Sequence, residues 1–444
     1  MRIFVLLLPL LLIGQSMTVY KDNIALVKEP VQWDVLSGVS EITYDKLPDG
    51  VIPNSPFLML EDAVVHYQRF NNDVFRGNEY FKGKIGAYVY VRVHNDKIHE
   101  GTLIEFNNSS ISLKTRKEIK TISRNRVDYM YTRDSETIPQ LRPELAWDIY
   151  ISKIPQTGSI NGNLVYLSTG FDWNAVYRFI LNGKKGELIS EAVVSNSSNV
   201  DFTQYSMKLV EGNLQKKGTR PQPVYRAEAR SGAMAYNTQS PPVAAESTLG
   251  DFHIFSLPEK IDLKQNQSVT VRLYEPRKVD FNRTFVFKNS ERSKKEEPLQ
   301  IEIQLANTKE NGLNIPLPRG KISLYLQSPD GSLEYAGEDD LKQIPKGETA
   351  TISGGRAFDV IGKRIVLHYD RQRKSEEASI EIIIKNKKNT AVNIRLEERI
   401  HGDWIVRNAS DNYIKKDAST IYFPFTVEAG GSKTVTYTYR KEWK

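Results

Sequence analysis

The sequence predicts an all-β, multidomain β-sandwich protein, and three observations carry that prediction. Apolar residues alternate with polar ones at period two along most of the chain. Asn, Asp, Gly and Pro punctuate the alternating runs. No apolar period of 3.6 residues is sustained beyond about a dozen residues. Val89, Val91 and Val93 alternate with Tyr90 and Arg92, and Ile301, Ile303 and Leu305 with Glu302 and Gln304. Val269, Val271 and Leu273 repeat the pattern, as do Val392, Ile394 and Leu396. Ile421, Phe423, Phe425 and Val427 form one face, and Val435, Tyr437 and Tyr439 another. Such alternation marks strands with one buried face. Asn182-Gly183, Pro329-Asp330-Gly331 and Ala429-Gly430-Gly431 read as hairpin turns.

The chain opens with Met1-Arg2 and an aliphatic run over residues 3–13 broken only by Pro9. A short positive start and an apolar core of about 11 residues read as a secretory signal peptide. Cleavage is expected after Ser16, so residues 1–16 are assigned to the leader. About 20 apolar residues are needed to span a bilayer, so this run is too short to do so. No other long apolar run follows, and no integral membrane span is expected once the leader is removed. The expected location is outside the cytoplasm, periplasmic or secreted.

Residues 17–135 form a first β block. Within it, residues 83–131 carry five short strand patterns with tight turns, the pattern of a small SH3- or Sm-like barrel. Residues 136–278 form a second block, read as a sandwich. It contains the stretch 211–251, where Pro221, Pro223, Pro241 and Pro242 stand among glycines and serines. That composition predicts a mobile segment. Residues 279–444 read as one further sandwich, and an immunoglobulin-like arrangement is expected for at least one of these units.

The 444 residues include no cysteine, which excludes disulfides, thiolate metal sites and thiol nucleophiles. A lipid anchor on cysteine is excluded with them. The formal charge is +7, or +6 once Arg2 leaves with the leader. A cationic exported protein meets anionic surfaces such as acidic glycans or lipid headgroups. Nucleic acid is not expected as a partner.

One segment resembles a known family. Leu164-Val165-Tyr166-Leu167-Ser168-Thr169-Gly170-Phe171-Asp172-Trp173-Asn174-Ala175-Val176-Tyr177 is similar to the Y-L-T-G-G-L-S-W-x-A-x-Y signature of a bacterial family of exported proteins of unknown function. Its longer relatives are the mucoidy inhibitor A proteins. Residues 193–209 and 311–320, with Gly337-Glu338-Asp339, Pro345-Lys346-Gly347-Glu348, Ala357-Phe358-Asp359-Val360, Gly402-Asp403-Trp404 and Ala429-Gly430-Gly431, resemble further family segments. The resemblance covers most of residues 141–440. The longer relatives carry a helical coiled-coil hairpin where this chain has its barrel pattern, so no role tied to that hairpin carries over. The resemblance implies an exported β-sandwich protein and no particular chemistry.

Catalytic signals are absent by pattern. His66, His94, His99, His253, His368 and His401 include only one close pair, His94 and His99, flanking a turn. They read as turn-flanking side chains rather than metal ligands. Thr351-Ile352-Ser353-Gly354-Gly355 lacks the first glycine of a nucleophile elbow and reads as a glycine-rich turn. Glu338-Asp339-Asp340 and Glu397-Glu398 are neighbours, and adjacent strand residues point to opposite faces. Trp173, Tyr177, Phe358 and Trp404 are expected in the core. No catalytic, cofactor or metal residue is assigned.

Lys114, Arg116, Lys117, Lys120, Arg124 and Arg126 crowd one short stretch of the small barrel, flanked by Tyr88, Tyr90, Tyr129 and Tyr131. Cations beside aromatics suit an acidic glycan or a lipid headgroup. The expected function is therefore a non-enzymatic envelope protein that binds or scaffolds, its partner an anionic surface or another envelope protein. Exposed strand edges offer a second way to scaffold. The alternative is an envelope-polymer hydrolase whose carboxylates converge only in the fold.

Overall fold

The computed structural model describes residues 14–35, 38–72, 74, 77–133, 140, 142–151, 158–212, 243–249 and 252–443. Almost all regular structure in them is strand, as the alternation requires, and the fold is an all-β assembly of several sheets. One short helix, Gly77–Gly83, and one 3-10 turn, Arg124–Arg126, are the exceptions among the described residues. No helix there is long and apolar enough to cross a membrane. Residues 1–13, the body of the expected leader, lie outside the described residues. Ser16 opens the first strand.

The largest core lies between two main sheets. One runs in the order Ala245–Leu249, Phe252–Ser256, Phe202–Glu211, Ser16–Tyr20, Ile24–Asp34, Ser159–Thr169, Phe57–Leu60. The other runs Gln267–Asp280, Lys185–Asn196, Phe171–Asn182, Gly320–Gln327, Leu333–Leu341. Met17, Val19, Val27 and Tyr166 of the first pack with Trp173, Tyr177, Phe179 and Leu324 of the second. A three-stranded sheet, Gly38–Tyr44, Glu144–Ile151 and Val64–Asn71, adds Trp147 and Ile149 to the same core. Within the stretch expected to be mobile, Glu211 ends a strand and Ala245–Leu249 forms one. Residues 213–242, 250 and 251 of that stretch lie outside the described residues.

The last unit is a nine-stranded sheet closing on its own core. Its order is Asp403–Arg407, Ser432–Glu442, Ser375–Asn386, Thr349–Arg371, Lys295–Ala306, Asn282–Ser290, Val392–Arg399, Thr420–Val427, Ile414–Lys415. Phe423 and Tyr437 lie on strands far apart in that order, yet their rings meet at 5.6 Å. The two wings therefore face each other. This corrects the reading of Ala429-Gly430-Gly431 as a hairpin turn. Gly430 does take a left-handed φ of 65°. The strands it joins do not pair, and the turn carries the chain across the core. Asn386 fixes the crossing by donating from Nδ2 to the carbonyls of Val427 and Glu428 at 3.2 and 3.0 Å.

One ribbon serves both cores. In Lys295–Ala306, Leu299 belongs to the nine-stranded core and Ile303 and Leu305 to the larger one. Thr349–Arg371 beside it gives Ala350 and Ile352 to the larger core and Ala357 and Val360 to the other. The register slips where the ribbon changes allegiance, with Glu302 opposite Ser353 but Pro298 opposite Ile361. The expected glycine-rich turn at 353–355 is this bulge inside a strand. Gly355 takes φ of 80°, and a Cβ on Gly354 would lie 2.8 Å from Ile301 Cγ2. The extra residues push Phe358 outward until it is 90% exposed. It was expected in the core, and the bulge reverses that placement. Trp173, Tyr177 and Trp404 are buried as expected.

The nine-stranded core also holds a fully buried ion pair. Arg364 Nη2 lies 2.9 Å from Glu398 Oε2, and both side chains are inaccessible to solvent. Arg364 also donates to the carbonyls of Ser293 and Glu291 at 2.5 and 3.3 Å, and Tyr437 donates to Glu398 at 2.5 Å. The cost of dehydrating both charges is offset only while every partner is present. Glu398→Ala is expected to cost about 3–5 kcal/mol in denaturant unfolding, whereas Arg364→Met with Glu398→Leu should lie close to wild type. A double variant as unstable as the single one would show that the pair does more than satisfy itself.

Candidate functional site

The five-stranded module comprises Tyr88–Val93, Ile98–Phe106, Ser110–Lys114, Ile119–Ser123 and Val127–Tyr131, with the last strand pairing the first. Val89, Val91, Leu103, Ile111 and Leu113 form its own inner core, against which Phe81 of the short helix packs. Residues directly opposite in an antiparallel pair share a face. The register therefore assigns each cation to a side.

Lys114 stands opposite Thr102, which stands opposite Tyr88, so all three share the outer face. Arg116 and Lys117 lie in the exposed turn that follows Lys114, with Thr115 Oγ1 accepting the Lys117 and Glu118 amides at 3.3 and 3.1 Å. Lys120 stands opposite buried Leu113 and so turns to the inner side. It meets His99 Nδ1 at 3.4 Å there and Glu118 at 3.5 Å. Arg124 lies over the Phe106 ring at 4.4 Å and donates to Asn78 at 3.0 Å, which ties the short helix down. Arg124 and Arg126 follow Ile119–Ser123, so that strand separates them from the Arg116–Lys117 turn by about 16 Å at ~3.3 Å per residue. The six cations are thus one cluster in sequence and two in space, with Lys120 turned away from both.

The tyrosines do gather. Tyr90 and Tyr131 stand opposite each other and stack at 4.8 Å with 9° between planes. Tyr88 meets Tyr90 edge-on at 5.7 Å, and Tyr129 meets Tyr131 at 6.2 Å. Arg133 lies over Tyr90 at 4.8 Å. Arg92, opposite Tyr129, completes an outer face of four tyrosines with Arg92, Arg133 and Lys114. Glu100, opposite Tyr90, is the one acid on those rows. Arg92 and Arg133 lie outside the dense basic run, so charge density alone does not mark them as part of this face. Strand parity alone would have found Arg92.

His94 and His99 do not meet. His94 pairs with Asp128 at 3.2 Å and is exposed, whereas His99 pairs with Asp96 at 3.1 Å on the inner side. The neighbouring carboxylates diverge likewise. Glu398 is buried on Arg364 while Glu397 pairs with Arg395 at 2.8 Å. Glu338 pairs with Lys321 at 2.6 Å, and Asp339 accepts the Ser353 amide at 2.7 Å.

The segment 164–177 proves to be internal glue. Tyr166 donates to Glu29 at 2.9 Å, Trp173 Nε1 to the Val210 carbonyl at 3.1 Å, and Tyr177 to the Pro318 carbonyl at 2.7 Å. Around Trp173 the fold assembles a charged cluster that no sequence pattern signals. Lys21 lies over the Trp173 ring at 4.5 Å and pairs with Glu211 at 2.5 Å, and both side chains are almost fully buried. Lys21 also donates to the Arg319 carbonyl, and Glu211 accepts the Arg319 amide at 3.4 Å. Burial lowers the Lys21 pKa more than Glu211 restores it. Asp172 feels Lys21 and Asp22, and burial pushes its carboxyl up to about 6. Its Oδ1 is buried without a hydrogen-bond partner.

A carboxyl raised in the folded state favours folding at low pH, and that contribution is lost as pH climbs from 3.8 to about 6. Asp172→Asn should therefore gain on wild type in thermal stability across that interval and hold a constant lead above it. Melting curves at a series of pH values read this directly, and parallel profiles would contradict it. No protein-family model matches the chain, and no curated protein matches it in sequence.

Proposed function

We propose that this is an exported, non-enzymatic protein of the bacterial cell envelope that binds an anionic glycan through the outer face of its five-stranded module. The periplasm is the compartment proposed, and an immunoglobulin-like sandwich and an SH3-like module are the proposed affinities of its parts. The resemblance to the mucoidy inhibitor A relatives supports the same compartment. One observation carries the binding reading: Tyr88, Tyr90, Tyr129 and Tyr131 share a solvent-facing side with Arg92, Arg133 and Lys114. Tyr88 and Tyr129 are each about half exposed, 51% and 53%, although aromatic side chains ordinarily bury in β cores. Flat rings take a sugar face, while Arg92 and Arg133 beside them and Lys114 two strands away, about 10 Å, take its acidic groups.

Hydrolysis of an envelope polymer is the weaker reading. It draws on Asp172 and Glu211 converging at Lys21. Glu211 is committed to Lys21 and the Arg319 amide, which takes it out of acid–base work with Asp172.

Retention of the full chain on an acidic-polysaccharide resin tests the proposal. Lys114→Glu with Arg92→Glu is expected to weaken low-salt retention at least about tenfold, because charge reversal removes attraction and adds repulsion. Tyr90→Ala should weaken it in high salt too, because stacking is not screened as charge is. Anionic vesicles run in parallel separate a lipid headgroup from a glycan. Unchanged retention of the charge-reversed variant in low salt would end the idea.

A further inference from the structure

A groove of about 740 Å³ lies between Ile24–Asp34, Gly38–Tyr44 and the approach to Phe202–Glu211, distant in sequence from the tyrosine face. Glu29 lines it and is only 7% exposed. Three phenols from three strands converge on that single side chain. Tyr166 and Tyr205 donate to Oε1 at 2.9 and 2.7 Å, and Tyr44 donates to Oε2. Burial, then the Glu29 charge, holds all three phenols far above their ordinary range, so each keeps the proton it donates to Glu29.

The arrangement is unusual in what it lacks. A buried carboxylate is ordinarily matched by a lysine or arginine. Among the described residues none pairs with Glu29, although Lys46 and Arg142 also line the groove. A carboxylate offers about four acceptor positions, and the phenols fill three, leaving one on Oε2. The lining holds three acids, Glu29, Asp45 and Asp201, against the two bases, so the groove favours a cation over an anion. Trp33 and Tyr44 supply aromatic surface, and Gln32 and Thr203 supply polar groups. The volume falls within the usual span for small-ligand sites, about 300–1,000 Å³.

We propose that this groove binds a saccharide unit bearing a protonated amine, with the ammonium on Glu29 Oε2 and the sugar ring against Trp33. The amine supplies the missing cation, and the phenols hold the carboxylate in place to receive it. The site is independent of the anion-binding face, so the two readings stand or fall apart.

Titration calorimetry of the full chain with glucosamine, N-acetylglucosamine and glucose tests the proposal. Glucosamine is expected to bind saturably, and the two sugars without a charged amine at least about tenfold more weakly. Glu29→Gln should erase that preference. If the buried substitution prevents folding, Asp45→Asn, on an exposed rim residue, should weaken glucosamine alone by about threefold, the size of an exposed charge contact. Equal affinity for all three sugars, no saturable glucosamine binding, or a preference untouched by the substitution that folds would each overturn it and leave Glu29 as an internal fastener.

Discussion

The architecture depends on one antiparallel ribbon, Lys295–Ala306 with Thr349–Arg371, because two cores are built on it. Leu299, Ile303 and Leu305 share one strand parity, so the same face of Lys295–Ala306 enters both cores. The register slips between Glu302 and Pro298, where the ribbon passes from one core to the other, and Gly354 and Gly355 make the slip sterically possible. Ile301 packs against both cores at the changeover. The two cores are therefore joined through hydrogen-bonded backbone rather than through a linker.

Without disulfides, the chain closes its long-range contacts with buried polar groups held by several partners each. Arg364 with Glu398, Glu29 with its three tyrosines and Lys21 with Glu211 each join strands far apart in sequence. Such groups add little net stability, since dehydration cancels much of the attraction. Their effect is selective. A misregistered strand would leave a buried charge or hydroxyl without its partner, at a cost of about 1–3 kcal/mol for each neutral group and more for a charge. Asp172 departs from this rule, with one carboxyl oxygen buried and unmatched.

Strand positions were legible because period-two alternation is local. Val89 to Val93, Val392 to Leu396 and Val435 to Tyr439 all sit on strands with the expected residues buried. Pairing was not legible. Ala429-Gly430-Gly431 has hairpin composition, yet only the partners of the flanking strands reveal that it crosses the core. The basic run failed for a related reason. Lys114 and Lys120 are close in sequence, but the intervening turn sets them on opposite faces. Phe358 misled because aromatic bulk predicts burial, whereas the bulge beside it turns its ring to solvent. Lys21 and Glu211 are separated by most of two sheets' worth of chain, and no local pattern marks them.

The strand Ser16–Tyr20 lies inside its sheet, antiparallel to Ile24–Asp34 and parallel to Phe202–Glu211. Its first neighbour arrives almost at once during synthesis, and its second only after Ser206 to Val210 have been made. Until then Met17 and Val19 have no core to enter, and one edge of the strand offers unpaired amides and carbonyls. An unpaired edge with apolar side chains is a template for intermolecular association. Loop-closure entropy further delays so distant a pairing. Late closure of this sheet leaves the Ser16–Tyr20 edge open to such association until residues 206–210 are in place.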